Sequence, residues 1–263
     1  MNYKYRIKSF IKFLIHAKPA SGYGVHSPFA YKFLREVIRD AKKNHPELNP
    51  LIHLKNELMK DKREILFSDL GAKNFGKKTS QKISSIARTA ITIPKYWNLI
   101  FSIARHFKPS GILELGTSLG FSAAAISLAA ENIEIHTIEG IPEIANLAQI
   151  TFNRLGLKNI VLHIGPFDEL LPSVLSLVQT PFLVFIDGNH RYDSTIRYFD
   201  LISKKADNNS IVIIDDIHWS EEMERAWDEI CCNNFTTIGI DLYRMGIIFF
   251  NKGLPQQKFC ILY

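Results

Sequence analysis

The chain reads as an α/β protein: a doubly wound, mostly parallel seven-stranded sheet with an N-terminal helical extension. Three observations predict it. Beyond residue 110, short apolar runs alternate with helical stretches, the pattern of strands covered by helices on both faces. The first run, Ile112-Leu-Glu-Leu-Gly116, passes through a glycine turn ending at Gly120 and opens into the alanine-rich helix Ala123–Ala130. The last two runs are joined without a helix, through Tyr243-Arg-Met-Gly246. A hairpin there puts one antiparallel strand at the end of an otherwise parallel sheet.

The strands are expected at 111–115, 134–138, 160–163, 182–187, 211–215, 235–241 and 245–251. Helices are expected near 119–131, 142–156, 168–178, 193–205 and 220–232. Residues 93–263 would form the ligand-binding domain, and residues 1–92 a helical extension that is a candidate lid.

The composition, 46% hydrophobic and 22% charged over 263 residues, is that of a globular protein. No apolar run reaches the roughly 20 residues of a membrane span. The three cysteines, Cys231, Cys232 and Cys260, make neither a metal-ligand spacing nor an even disulfide set, which points to a reducing cytoplasm.

The net charge of +6 is uneven, because residues 1–65 carry fourteen Lys and Arg against six Asp and Glu. The opening Met1–Ile15 is basic and amphipathic, and Lys8 and Lys12 interrupt any signal-peptide core. It is expected to be a helix packing its Ile/Phe face on the domain. Its charge also suits an anionic membrane surface, and pairing of two copies as a homodimer is left open. No nucleic-acid-binding module accompanies it.

Residues 27–63 read as helical and charged. Leu66–Gly71 resembles a second strand and glycine turn, followed by the polar stretch Ala72–Ser80. Gly71 and Gly76 before Lys77-Lys-Thr79 miss the phosphate-loop spacing by one place, so a loop is expected there.

The turn Gly116-Thr117-Ser118-Leu-Gly120 lets a ligand approach backbone closely, and the following helix offers free amides. Dinucleotide binding wants G-x-G-x-x-G. Here the glycines are four apart and Glu114 stands two residues before the first. A carboxylate there repels a pyrophosphate but suits a ligand bearing an ammonium and a sulfonium. Glu139, ending the second strand, can accept both hydroxyls of a ribose.

Farther along, Val184-Phe-Ile-Asp187-Gly-Asn-His190 ends the fourth strand, and Ile211-Val-Ile-Ile-Asp215-Asp216 ends the fifth. Three carboxylates at the C-terminal edge of the sheet repel one another and need a counterion, either a basic side chain or a hard divalent cation. His190 is a competent general base near neutral pH.

The run Glu114–Ser122 with Thr137-Ile-Glu139 resembles the cofactor site of class I S-adenosylmethionine-dependent methyltransferases, a Rossmann-like fold. Within that group it is most similar to the catechol and caffeoyl-CoA type O-methyltransferases, over about residues 94–251. The resemblance implies that Gly116, Thr117, Ser118 and Gly120 line the methionine portion of S-adenosylmethionine. It implies that Ser122 reaches the methionine carboxylate and that Glu139 holds the ribose. The segment Gly165-Pro-Phe167-Asp168 would border the adenine. Asp187, counted also among the cofactor contacts, would fall with Asp215 and Asp216 on three Mg²⁺-ligand positions, and Trp219 on an aromatic that follows them. Two departures stand out: Asp216 where the group has Asn, and His190 where it has Lys.

The expected activity is methyl transfer from S-adenosylmethionine to a hydroxyl of a small-molecule acceptor, with His190, Asp187 and Asp215 catalytic. Alternatives are an RNA or protein methyltransferase, a nicotinamide-dependent oxidoreductase, and a non-catalytic nucleoside-binding module. Arg191, Tyr192, His26 and Ile93–Trp97 are weaker candidates for an acceptor pocket.

Overall fold

The computed structural model describes residues 3–68, 78–90 and 93–263. The near-miss phosphate loop, with Gly71 and Gly76, lies outside the described residues. In chain order the elements begin with α1 (Tyr3–His16), β1 (Lys18–Pro19) and α2 (Pro28–Phe33), which runs into a π-turn at Leu34–Ile38. A 3-10 turn at Pro46–Leu48 leads into α3 (Asn49–Leu58), the antiparallel pair β2 (Glu64–Ser68) and β3 (Lys78–Lys82), then α4 (Ile83–Ala90) and α5 (Pro94–Phe107). The alternating part follows as β4 (Gly111–Leu115), α6 (Phe121–Ala129), β5 (Ile135–Glu139), α7 (Pro142–Arg154), β6 (Ile160–Ile164) and α8 (Phe167–Leu177). It continues as β7 (Phe182–Ile186), α9 (Tyr192–Lys205), β8 (Ile211–Ile214), α10 (Glu221–Cys232), β9 (Ile238–Asp241), β10 (Gly246–Phe249) and β11 (Gln257–Leu262).

The sheet has nine strands in the order β1-β11-β9-β10-β8-β7-β4-β5-β6. The seven expected strands are all present, each within three residues at either end. Two more join beyond them: β11 runs parallel to β9, and the two residues of β1 run parallel to β11. The hairpin strand β10 is antiparallel to both β8 and β9 and therefore lies inside the sheet order. Every position of β4, β5, β7 and β8 is buried, as expected for strands covered on both faces.

By compactness the chain divides into two units. The first comprises Met1–Asp40, Pro109–Leu113 and Leu175–Tyr263; the second comprises Ala41–Lys108 and Glu114–Val174. The division cuts through β4. Residues 1–92 are less purely helical than expected, since they contribute β1 and the β2–β3 pair.

In the first unit α1 departs from expectation. Ser9 and Phe13 are buried, whereas Ile7, Ile11 and Ile15 are exposed, so the Ile face points outward. Glu224 on α10 supplies the reason. Its carboxylate receives Tyr5 Oη, Ser9 Oγ and Lys12 Nζ, and these polar contacts outweigh the pull of the apolar stripe. In the second unit α5 packs Trp97 against Phe121 at the start of α6, with ring centroids 5.2 Å apart.

Candidate functional site

The residues expected on the donor side, Glu114 to Asp168, lie in the second unit. The backbone leaves β4 with Gly116 at φ 100° and Ser118 at φ 49°, and Gly120 at φ 83° caps α6. The amides of Gly116 and Thr117 donate to Ile138 O of β5, which ties the turn to the neighbouring strand. Ser118 N then reaches Glu139 Oε2 at 2.8 Å, and Ile141 N reaches Glu139 Oε1 at 3.0 Å. Glu139 is thus fixed by one amide on each oxygen, with lone pairs left for further donors. Burial raises its pKa.

Glu114 is fully buried on β4. Its Oε2 accepts from Thr137 Oγ1 at 2.5 Å, and Thr137 Oγ1 lies 2.6 Å from Thr117 Oγ1. Ser122 and the Ala123 amide lie near the carboxylate, but Oε1 makes no hydrogen bond of good geometry. Desolvation pushes the Glu114 pKa up to about 7, against the opposing influence of Ser122 and Thr137. A buried acceptor left unpaired is costly, and a cationic group placed on it removes that cost. The residues therefore fit S-adenosylmethionine: an orphaned carboxylate oxygen for a positive charge, and a clamped carboxylate for a ribose.

Ser122 lies buried in the first turn of α6. Gly165 follows β6 and its amide donates to Glu139 O at 2.9 Å, so the third-strand turn is anchored to the second. Phe167, half-buried, and Asp168, exposed, open α8, where an acid also favours the helix N-terminus.

The residues expected on the acceptor side lie in the first unit. Asp187 follows β7, and His190 Nε2 lies 3.7 Å from its Oδ1. Asp215 follows β8, held by its amide on Ile186 O at 2.9 Å, and is 1% exposed. Asp216 takes φ 54°. Its pKa is raised, first by burial and then by the charge of Asp215.

The counterion is Arg244, from the link between β9 and β10. Its Nε and Nη2 approach Asp215 Oδ1 and Oδ2 at 3.3 and 3.2 Å, and Nε lies 3.7 Å from Asp216 Oδ1. Burial opposes the charge on Arg244, yet Asp215 and Asp216 together raise its pKa. Among the described residues no group of three or more His, Cys, Asp or Glu could hold a metal ion. Asp187, Asp215 and Asp216 thus do not fit the Mg²⁺ expected there, because a guanidinium fork already takes the facing oxygens of Asp215.

Sequence reasoning named the need for a counterion but missed Arg244. It missed Arg6 as well, whose guanidinium lies over the Trp219 ring at 4.8 Å. The weaker candidates separate. Trp97 is fully buried core and His26 is exposed on the loop before α2. Arg191 caps α9, and Tyr192 Oη donates to Glu229 at its surface. Near Trp219, His218 Nε2 lies 2.9 Å from Asp241 Oδ2 and its Nδ1 3.2 Å from Ser9 Oγ.

Residues 113–217 match the family model of a methyltransferase domain. The O-methyltransferase TomG from Streptomyces achromogenes, solved in complex with SAM, shares the fold at a TM-score of 0.53 and 19% identity, over 61% of this chain and 82% of that one. An O-methyltransferase from Bacillus cereus in complex with SAH does so at 0.56 and 13%, over 82% and 98%. At these identities the likeness is one of fold. A protein-L-isoaspartate O-methyltransferase from Methanocella arvoryzae is 39% identical over 62 residues, 23% of this chain and 33% of that protein. The chain spans about a third of the length of the curated relatives it matches. The protein thus shares the fold of solved O-methyltransferases. Its residues 113–217 are the part similar to a methyltransferase domain.

Proposed function

We propose that the protein transfers the methyl group of S-adenosylmethionine to a hydroxyl oxygen of a small-molecule acceptor. The observation that carries this reading is the buried, unpaired Oε1 of Glu114 beside the clamped carboxylate of Glu139. When bound, S-adenosylmethionine supplies a methyl group on a positively charged sulfur. The chain's residues bind and orient: Glu114 and Ser122 take the methionine end, Glu139 the ribose, and Phe167 with Asp168 the adenine.

On the acceptor side His190 receives the hydroxyl proton. The Asp187 carboxylate lies 3.7 Å from Nε2, so ring and carboxylate stand together on this side. The three aspartates disfavour an acceptor carboxylate by like-charge repulsion and favour a neutral hydroxyl. Arg244 pairs with Asp215 and lies 3.7 Å from Asp216, offsetting one of their two charges, and no step here is routed through a divalent cation. The unpaired cysteines fit a cytoplasmic setting.

Calorimetry with S-adenosylhomocysteine and, separately, NAD tests the reading. Heat with the former and none with the latter is expected. Silence with S-adenosylhomocysteine, or binding of NAD instead, sinks it.

A further inference from the structure

Helix α1 is docked inside out with respect to its own hydrophobicity. Tyr5, Ser9 and Lys12 face Glu224, and Ser9 also meets His218. Phe13 is the apolar residue buried with them, packed on Tyr243 at 5.3 Å between ring centroids. Four large apolar side chains are left outside, Ile7 at 59% exposure, Ile11 at 53%, Leu14 at 43% and Ile15 at 74%, and Phe10 at their margin is 42% exposed with its ring edge on Tyr243 at 4.9 Å. At helical spacing these positions share one face, and exposed Lys4 and Lys8 lie on the same arc. Seven Lys and Arg precede the first acidic residue of the chain, Glu36.

We infer that this face of α1 docks on an anionic lipid surface. The helix lies in the interface plane, its Ile and Leu side chains among acyl chains and Lys4 and Lys8 at the phosphates. Charge decides between a membrane and a second copy of the chain. Two such faces packed together would bring four lysines into contact with no acid on either helix to offset them. An anionic bilayer supplies both the apolar phase and the negative charge. The inference does not depend on the methyl-transfer reading.

The test is sedimentation of the full chain with vesicles of phosphatidylcholine alone, or mixed with phosphatidylglycerol. Binding to the anionic vesicles that weakens with added salt is expected. Lys8→Gln should lower the partition about fivefold, and Ile11→Ser about tenfold. Both side chains are exposed, so neither variant should change the melting temperature or S-adenosylhomocysteine binding. No binding of the wild type to anionic vesicles at low salt overturns the inference, as does binding that both variants leave unchanged. A vesicle-free dimer that Ile11→Ser dissociates would assign the face to a second copy, and also overturns it.

Discussion

Arg244 holds Asp215 in a two-point ion pair, with contacts of 3.2 and 3.3 Å to its two oxygens. Asp215 is 1% exposed, so the guanidinium stands where a bare carboxylate would otherwise demand another cation. Arg244→Ala leaves that buried charge uncompensated, a loss of about 3–5 kcal/mol. The variant should therefore melt well below the wild type in chelator and recover part of the difference when Mn²⁺ is added. The wild type should respond little to either. A wild type that gains as much from Mn²⁺ as the variant would show that the carboxylates take a metal despite Arg244.

Glu114 sets a pH dependence of opposite sign to that of an ordinary ion-paired acid. Burial raises its folded pKa from 4.5 to about 7, so the folded state keeps a proton that the unfolded chain has lost. Stability without ligand should fall as pH rises from 4.5 to 7 and level off above. The full swing is on the order of 3 kcal/mol. Glu114→Gln should abolish this term, gaining stability at pH 8 while losing affinity for the amine-bearing ligand. Binding of S-adenosylhomocysteine should release protons below pH 7 and tighten up to that pH. Calorimetry in buffers of different ionisation enthalpy measures the release; an affinity flat from pH 6 to 8 would contradict the role given to Glu114.

What the sequence disclosed follows from which signals are local. β4, β5, β7 and β8 are continuous apolar runs bounded by turns, and their limits were legible within a residue or two. Helix α5 was missed although Lys95, Asn98, Ser102 and Arg105 recur at helical spacing, because it precedes the first strand and lies outside the alternating pattern. The docking of α1 inverted for a non-local reason: a hydrophobic stripe marks a face but not what that face meets, and Glu224 lies more than two hundred residues away. Arg244 was hidden likewise. It sits in a short link where Tyr243 takes φ 69°, and no spacing rule carries a side chain from there to Asp215. The donor motifs were legible because glycines and acids at fixed offsets from one strand are a local code.

Gly120 offers a test of that code. It has φ 83°, and a Cβ there would stand 2.6 Å from Cε1 of Phe152, itself 1% exposed. Gly120→Ala should combine backbone strain with overpacking and cost about 2–4 kcal/mol. Gly156 is the control, since at φ 68° its added Cβ meets nothing within 4 Å. Gly156→Ala should cost only the backbone part, about 1–2 kcal/mol. Phe152→Leu in the Gly120→Ala background should restore part of the loss, a coupling that denaturation of the four proteins would measure. Equal costs at Gly120 and Gly156 would rule out the ring contact as the cause.

Glu224 governs the attachment of α1 by ordinary acid linkage. Burial pushes its pKa up, but hydrogen bonds from Lys12, Tyr5 and Ser9 win and hold it at about 2, below the usual 4.5. A depressed folded pKa means stability present above pH 4.5 and lost as pH falls toward 2. Solvent reaches the Lys12 end of the cluster, so screening limits the contribution to about 1–2 kcal/mol. Glu224→Gln should remove that amount at pH 7 and make no difference near pH 2. The loosening should be confined to α1, whose amides would exchange hydrogen faster while those of β7 and β8 keep their protection. Unchanged exchange in α1 at neutral pH would show that Phe13 and Tyr243 hold the helix without the carboxylate.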